Sequence, residues 1–433
     1  LAVKLGLAIS TLARGGDVVV GCDYRLSSES LKSALCSALT LGGSNVLDLG
    51  YAATPCIAFA GRESKAEFSI AVTASHNPPS DNGFKVFAGE GYESTLELEK
   101  QIEDLTLGEN FALADWKAAG RVTKSIGPLN QYAARLLDLP PLEGKLRVVV
   151  DCSNGTASGL TPKLLHQMGG EVGAINNVPD GRFPGRLPEP TPENLEGLSR
   201  RVVGEKADLG IAHDGDADRL AIIDERGRYV NNDTLLAYFA SMLMRRHGSG
   251  KVITSVDTSF RIDETVAKIG GSTERTRLGK THSRLLDADR DVIRLCCEPW
   301  KVIDPKWGYW GDAIYAAITF ALEVAKSGQS VSELLASIPD YPQERIAFDC
   351  LEHVKLGAMN EIESVLREAP NVLSVWSFDG VRVNFKDGAW VLARPSGTEP
   401  RIRAYLEAKN GVRLSELHVW ASKAITDAIR KAS

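Results

Sequence analysis

One short pattern recurs along the chain and restricts its fold more than any other feature. Val18-Val-Val-Gly-Cys-Asp-Tyr-Arg25 is echoed by Val148-Val-Val-Asp-Cys-Ser-Asn-Gly155 and, more loosely, by Val252-Ile-Thr-Ser-Val-Asp-Thr-Ser259. Each echo is an apolar run ending in small polar residues, and a helical stretch follows it. Around the first, an amphipathic helix runs to about Arg14 on Leu1, Leu5, Ala8, Ile9 and Leu12. Then come the strand-like Val18 to Val20, a helix around Leu31 to Leu41, and a second strand-like run from Asn45 to Leu49. That order predicts parallel strands, because parallel neighbours need a helical crossover.

The chain has 433 residues, more than one ordinary domain holds. Three tandem α/β units fit that length. After about Pro342 the grammar changes to alternating strands, Val381 to Phe385, Trp390 to Leu392 and Ile402 to Leu406, with the Asp387-Gly388 turn between the first two and a terminal helix at the end. The predicted boundaries are 1–126, 127–228 and 229–341 for the α/β units and 342–433 for a smaller α+β unit. Pro140-Pro141 and the stretch from Pro184 to Pro192 read as rigid loops.

Composition excludes several classes. A formal charge of -6 gives no electrostatic support for nucleic-acid binding. The longest apolar stretch, around Ala313 to Ala325, is too short and interrupted to span a bilayer. Seven cysteines form no C-x-x-C pair and no ligand-spaced set with histidine, so they are expected to be reduced and mostly buried. A cytoplasmic enzyme is the expectation. The chain opens on Leu1 already inside an amphipathic pattern, so its true start is expected upstream.

Three motifs carry chemistry. Thr73-Ala-Ser-His-Asn-Pro-Pro79, followed by Asn82-Gly83-Phe84-Lys85, comes directly after the strand-like Phe68 to Val72. A serine in a loop at the end of a strand is presented to a ligand. Lys85 is near enough to neutralise a phosphate or relay a proton. A serine hydrolase with His76 as base is the rival chemistry, but no G-x-S-x-G elbow is present.

The second motif is His213-Asp-Gly-Asp-Ala-Asp-Arg219, between Asp208 to Ala212 and Leu220 to Ile223. Asp214, Asp216 and Asp218 alternate, which on an extended loop brings three oxygen donors to one side, as a Mg²⁺ seat requires. An EF-hand is disfavoured because Arg219 stands where the sharp turn needs glycine and the flanks read as strands. The third motif, Arg394-Pro-Ser-Gly-Thr-Glu-Pro-Arg401, has the arginine, hydroxyls and turn that can wrap a phosphate; taken alone it reads also as a hairpin turn with charged edges.

In this order over separate units, the three motifs closely resemble the α-D-phosphohexomutases, along nearly the whole chain. The resemblance implies four domains around a central cleft. It implies Ser75 as phosphoryl carrier, with His76, Lys85 and Arg219 in the catalytic set. Mg²⁺ would be held by Asp214, Asp216, Asp218 and a phosphoserine oxygen. Arg394, Ser396, Gly397 and Thr398 would hold the non-reacting phosphate, with hexose 1,6-bisphosphate as intermediate and activator.

Mannose, glucose and glucosamine phosphates are the substrates it implies, with a homodimer allowed. A non-catalytic sugar-phosphate binding protein and a phosphomonoesterase remain the alternatives. The chain departs from the family in three places. The Phe-Gly-Thr-x-Gly-x-Arg-Gly loop with its catalytic arginine is missing. The sugar loop, usually Gly-Glu-x-Ser-Gly-His, reads Cys297-Glu298-Pro299-Trp300-Lys301, so only Glu298 carries over, with Trp300 and Lys301 resembling an archaeal variant. Trp300 offers either an aromatic face to the sugar or a core side chain. In Arg277-Leu-Gly-Lys-Thr-His282, Lys280 and His282 are both candidate bases, or a solvated helix start.

Overall fold

The first echo becomes the centre of a six-stranded sheet in a computed structural model that describes residues 1–397 and 399–433. Strands β1 (Val18–Cys22), β2 (Val46–Tyr51), β3 (Phe68–Val72), β4 (Phe84–Ala88), β5 (Tyr92–Glu93) and β6 (Val122–Lys124) lie in the order β5-β4-β3-β1-β2-β6. Every residue of β1 and β3 is buried, which is why those segments read as unbroken apolar runs. Val18 and Val20 join a cluster with Leu5, Ile9, Leu35 and Leu39 of helices Ala2–Ala13 and Ser28–Leu41. Val19 faces the other way, among residues that include Ile57 and Phe59 of helix Thr54–Ser64.

The other two echoes build the same sheet in shorter form. Strands β7 (Arg147–Asp151), β8 (Glu171–Ile175), β9 (Leu209–His213) and β10 (Leu220–Ile223) run in the order β10-β9-β7-β8. Strands β11 (Lys251–Ser255), β12 (Ser272–Thr276), β13 (Ile293–Glu298) and β14 (Lys301–Ile303) run in the order β12-β11-β13-β14. In all three sheets the echo strand pairs in parallel with the next two strands, and the third strand then meets an antiparallel fourth.

This repeat fixes where chemistry can be placed. The Ser75 loop joins β3 to β4, the aspartate loop joins β9 to β10, and Pro299-Trp300 joins β13 to β14. The three loops are topologically equivalent, each beyond the carboxyl end of a parallel strand, where open α/β sheets bind ligands.

The first three sheets share one apolar cluster that includes Phe59, Tyr132, Trp307 and Trp310. At its centre the buried Asp312 carboxylate accepts from Tyr132 Oη at 2.7 Å, Trp307 Nε1 at 2.7 Å and Trp310 Nε1 at 3.1 Å. A carboxylate saturated in this way is tolerated inside a core.

The last sheet is antiparallel throughout. Strands β15 (Gln343–Asp349), β16 (Val372–Trp376), β17 (Val381–Phe385), β18 (Trp390–Pro395) and β19 (Arg401–Glu407) lie in the order β15-β19-β18-β17-β16. Helices Lys355–Arg367 and Gly411–Ala432 cover one face around Val383, Val391 and Ala404. The opposite face carries Trp376, Arg382, Leu392, Tyr405 and Arg345 in one row of paired residues. Part of it packs on Val256 and Phe260 of the third unit. No helix among the described residues is long and apolar enough to cross a membrane.

Candidate active site

The Ser75 loop and the aspartate loop meet without space to spare. Ser75 is buried with φ 53°, and Ala217 turns at φ 60°. Both are left-handed conformations that L-residues adopt at a cost, and such positions gather at functional sites. A Cβ on Gly215 would stand 2.7 Å from the Ser75 carbonyl oxygen, so only glycine permits this approach.

Ser75 Oγ donates to Asp214 Oδ2 at 2.7 Å. The Asp214, Asp216 and Asp218 carboxylates each offer an oxygen within 4.8 Å of the others, and all three residues are buried. They converge through a turn at Ala217, not through the alternation of an extended loop that the spacing suggests. A turn brings successive carboxylates onto one centre, whereas full extension keeps them in a row.

The electrostatics are those of a cation site. Burial, then Asp216 and Asp218, push the Asp214 carboxyl well above the usual carboxylate range. Burial acts likewise on Asp218, but Lys301, Lys85 and Arg219 outweigh it and hold that carboxyl below its ordinary value. Lys85 Nζ lies 2.7 Å from Asp216 Oδ2, and Lys301 Nζ lies 3.1 Å from Asp218 Oδ2. Asp216 Oδ1 and Asp218 Oδ1 are buried with no hydrogen-bond partner among the described residues. Buried oxygens are expensive to leave unpaired, and this hard, all-oxygen donor set fits Mg²⁺.

Arg219 and His76 border the same centre. The Arg219 backbone N–H donates to Asp214 Oδ1 at 3.1 Å, its Nη1 to Glu189 Oε1 at 3.1 Å, and its Nη2 lies 3.4 Å from His76 Nε2. Burial, then the Arg219 charge, lower the His76 pKa to about 4.

Glu298 is buried at the end of β13, where Thr281 donates to it from N at 3.2 Å and Oγ1 at 2.9 Å. Trp300 is half-buried with φ 66°. Its Nε1 donates to Tyr229 Oη at 2.9 Å, and its ring packs on the core of the second unit. Lys280 binds Glu99 at 3.1 Å, and the buried His282 lies 3.3 Å from the Ser94 carbonyl oxygen and 3.8 Å from Glu93 Oε2. These two tie the third unit to the first.

In the third motif Arg394 Nε donates to Asp379 Oδ1 at 2.8 Å, and Asp379 Oδ2 accepts from Leu278 N at 2.9 Å. Lys355 Nζ donates to the carbonyls of Ser396 and Glu399, both at 2.7 Å. Ser396 is half-buried and Gly397 exposed; Thr398 lies outside the described residues.

Sequence reasoning missed Arg25. Its guanidinium is buried and donates to the carbonyls of Ser75 at 2.9 Å, Asn77 at 2.7 Å and Asp81 at 3.0 Å, and also to that of Pro78. Asp23 holds Arg25 Nε at 3.0 Å and accepts from Thr73 Oγ1 at 2.7 Å. Its one signal was two charged residues at the end of an apolar strand. Thr54, whose Oγ1 donates to Asp216 Oδ2 at 2.6 Å, had none.

Comparison with known proteins agrees with this geometry. The family descriptions “Phosphoglucomutase/phosphomannomutase, alpha/beta/alpha domain” I, II and III match residues 1–112, 131–227 and 231–341, and the C-terminal domain of the same family matches 354–419. The chain is 38% identical to a phosphopentomutase of Thermococcus kodakarensis, over all of this chain and 95% of that one. It is 39% identical to the “Probable phosphoglucosamine mutase” of Methanopyrus kandleri, over 96% and 92%. A phosphoglucomutase/phosphomannomutase family protein of Burkholderia thailandensis superposes with a TM-score of 0.87 at 26% identity, covering 99% of this chain and 93% of that one. Four consecutive family matches, on a fold whose equivalent loops bring a serine to an acidic triad, make this chain a member of the phosphohexomutase family of sugar-phosphate mutases.

Proposed function

We propose that the chain interconverts hexose 1-phosphate and hexose 6-phosphate through a phosphorylated Ser75. The observation that carries this reading is the 2.7 Å hydrogen bond from Ser75 Oγ to Asp214 Oδ2, which ties the hydroxyl to the acidic triad. Asp214, Asp216 and Asp218 would hold Mg²⁺ together with a phosphoserine oxygen. Bound there, the ion supplies a fixed positive charge that offsets the charge developing on the transferring group.

The reaction conserves its atoms. The Oγ–P bond of phosphoserine breaks as a sugar hydroxyl oxygen bonds to phosphorus, which leaves Ser75 as an alcohol and the sugar as a 1,6-bisphosphate. After the bisphosphate reorients, Ser75 Oγ attacks its other phosphate and the sugar monophosphate departs. Lys85 and Arg219 contribute positive potential on the approach to Ser75. His76, with its pKa lowered to about 4, stays neutral near pH 7 and acts as a hydrogen-bonding neighbour of Arg219. In the fourth unit Arg394, Ser396 and Gly397 hold the phosphate that is not reacting, and the boundaries 126/127, 228/229 and 341/342 separate the four units. Glu298 meets the sugar hydroxyls, and Lys301 adds a second cation beside Asp218.

A pentose phosphate is the second reading. It is favoured by the similarity to a phosphopentomutase and by a sugar loop that keeps only Glu298 of the hexomutase pattern. Phosphorus NMR separates the readings. The protein is incubated with Mg²⁺, a trace of the bisphosphate, and glucosamine, glucose, mannose or ribose 1-phosphate in parallel. Growth of a hexose 6-phosphate signal supports the first reading, and ribose 5-phosphate alone supports the second. Free phosphate would indicate a phosphomonoesterase, and no change with any sugar would point to a binding protein.

A further inference from the structure

Besides Arg401, which pairs with Asp349 Oδ1 at 3.1 Å, the face of the fourth sheet turned away from its helices carries four arginines, three of them engaged. Arg382 donates to the carbonyl of Thr258 at 2.9 Å and to that of Val256, Arg394 to Asp379, and Arg403 to Glu399 Oε2 at 2.7 Å. Arg345 is different. It is exposed on β15, and its guanidinium makes no hydrogen bond or ion pair with any described residue. Two aromatic rings hold it instead: its guanidinium carbon lies 5.4 Å from the Tyr405 ring centre and 6.0 Å from that of Trp300.

Aromatic faces orient a guanidinium without consuming its five N–H donors. The donors of Arg345 are therefore oriented by aromatic packing and make no hydrogen bond to the described residues. Register places Arg345 opposite Tyr405 and Arg394 opposite Arg403, so Arg345 and Arg394 flank β19 on the same face. Two strand spacings and a two-residue stagger put their backbones roughly 12 Å apart, a gap that two arginine side chains can close on one phosphate. Both arginines act on buried Asp257: burial pushes its carboxyl up, while the hydrogen bond from Ser255 and then the charges of Arg345 and Arg394 pull it down.

We infer that Arg345 is a further phosphate-binding residue of this cleft, partnering Arg394, and that Trp300 is its positioning residue. This rests on the proposed sugar-phosphate mutase reading. Trp300 also has the Arg219 guanidinium over its ring at 5.5 Å, and its carbonyl accepts from Leu220 N at 2.9 Å. One indole therefore joins the cation beside the Asp214 triad to the cation on the fourth sheet. The residue that departs most from the family's sugar loop is the residue that makes this join.

Calorimetric titration tests the inference in a Ser75→Ala background, where no turnover intrudes, with glucosamine 6-phosphate and inorganic phosphate as probes. Arg345→Ala should weaken binding of the sugar phosphate by about tenfold or more, the value of a charge-assisted hydrogen bond. In the active enzyme it should raise KM more than it lowers kcat. Trp300→Phe should keep the affinity and Trp300→Ala should lose it. Trp300→Ala should add little once Arg345 is alanine, since residues acting as one unit are not additive. Unchanged affinity in Arg345→Ala would overturn the assignment, and full additivity would overturn the positioning role. Wild-type protein without turnover, but with the affinity loss in Arg345→Ala, would sink the mutase reading and leave this one standing.

Discussion

Lys85 Nζ stands 2.7 Å from Asp216 Oδ2 and 2.5 Å from Asp218 Oδ2, so a side chain of the first sheet neutralises two carboxylates carried by the second. The triad needs that charge, because three buried carboxylates within 4.8 Å repel one another strongly in a medium of low polarity. Lys85 also has a reason to move: a divalent cation at the triad would compete with it for the same oxygens.

Mg²⁺ should therefore raise the thermal transition temperature, by the equivalent of about 2.7 kcal/mol at a hundredfold excess over its dissociation constant. Asp216→Asn should abolish the shift and lower activity by roughly a hundredfold or more, since even the outer partners of metal ligands cost 10–100-fold. Differential scanning calorimetry with and without Mg²⁺ checks this. A full shift retained in Asp216→Asn would move the metal elsewhere.

Ser75→Ala should leave the fold intact and remove turnover by at least about a thousandfold, as expected when a nucleophile is deleted. Intact-mass spectrometry after incubation with hexose 1,6-bisphosphate should find one added phosphoryl group on wild type and none on the variant. Equal labelling of both would place the carrier at another residue.

How far the sequence could be read follows from the range over which each signal acts. Strand-helix grammar is local, so the three echoes and the strand alternation after Pro342 were visible, as were the Ser75, Asp214 and Arg394 motifs, each confined to a few residues. Lys280 shows the limit: its Glu99 partner lies 181 positions away, and no periodicity announces such a pair. Trp300 was open between sugar face and core because its role depends on Tyr229, Arg219 and Arg345, which belong to other elements. Arg25 was passed over for the same reason, since four carbonyls more than 50 residues downstream or at that distance give it its purpose.

Arg25→Ala removes the cation that gathers the carbonyls of the Ser75 loop and leaves Asp23 buried without its ionic partner. Breaking a buried pair from one side costs about 3–5 kcal/mol. Arg25→Lys should not rescue it, because a single ammonium lacks the planar fork that reaches several acceptors. Chemical denaturation measures the loss of stability, and a KM held constant while kcat falls would show that the loop is displaced and not merely the substrate. A variant as stable as wild type would exclude the pinning role.

All seven cysteines are free and buried. Burial pushes the thiols of Cys22, Cys36 and Cys297 up to about 12, so at pH 8 only on the order of one in ten thousand of these groups is the reactive thiolate. Titration with a thiol-specific chromophore should find no fast-reacting group in the native protein and seven after unfolding. A fast native phase would reveal a cysteine that the fold exposes by opening.

Arg382 joins the last unit to the third, and its removal should be felt at that boundary alone. Its guanidinium carbon lies 3.8 Å from the Trp390 ring centre, 5.0 Å from Trp376 and 4.7 Å from Phe260, while its N–H groups satisfy carbonyls of the loop after β11. Arg382→Ala would leave those carbonyls unpaired and a void between three aromatic rings, a combined cost of about 3–5 kcal/mol. Because the first three sheets share one apolar cluster and the last has its own, the loss should appear as a separate, lower-temperature calorimetric transition for the fourth unit. Tryptic cleavage after Arg345, the first basic residue beyond the boundary, should accelerate in parallel. A single transition at the wild-type temperature would mean that the aromatic rings hold this boundary without the arginine.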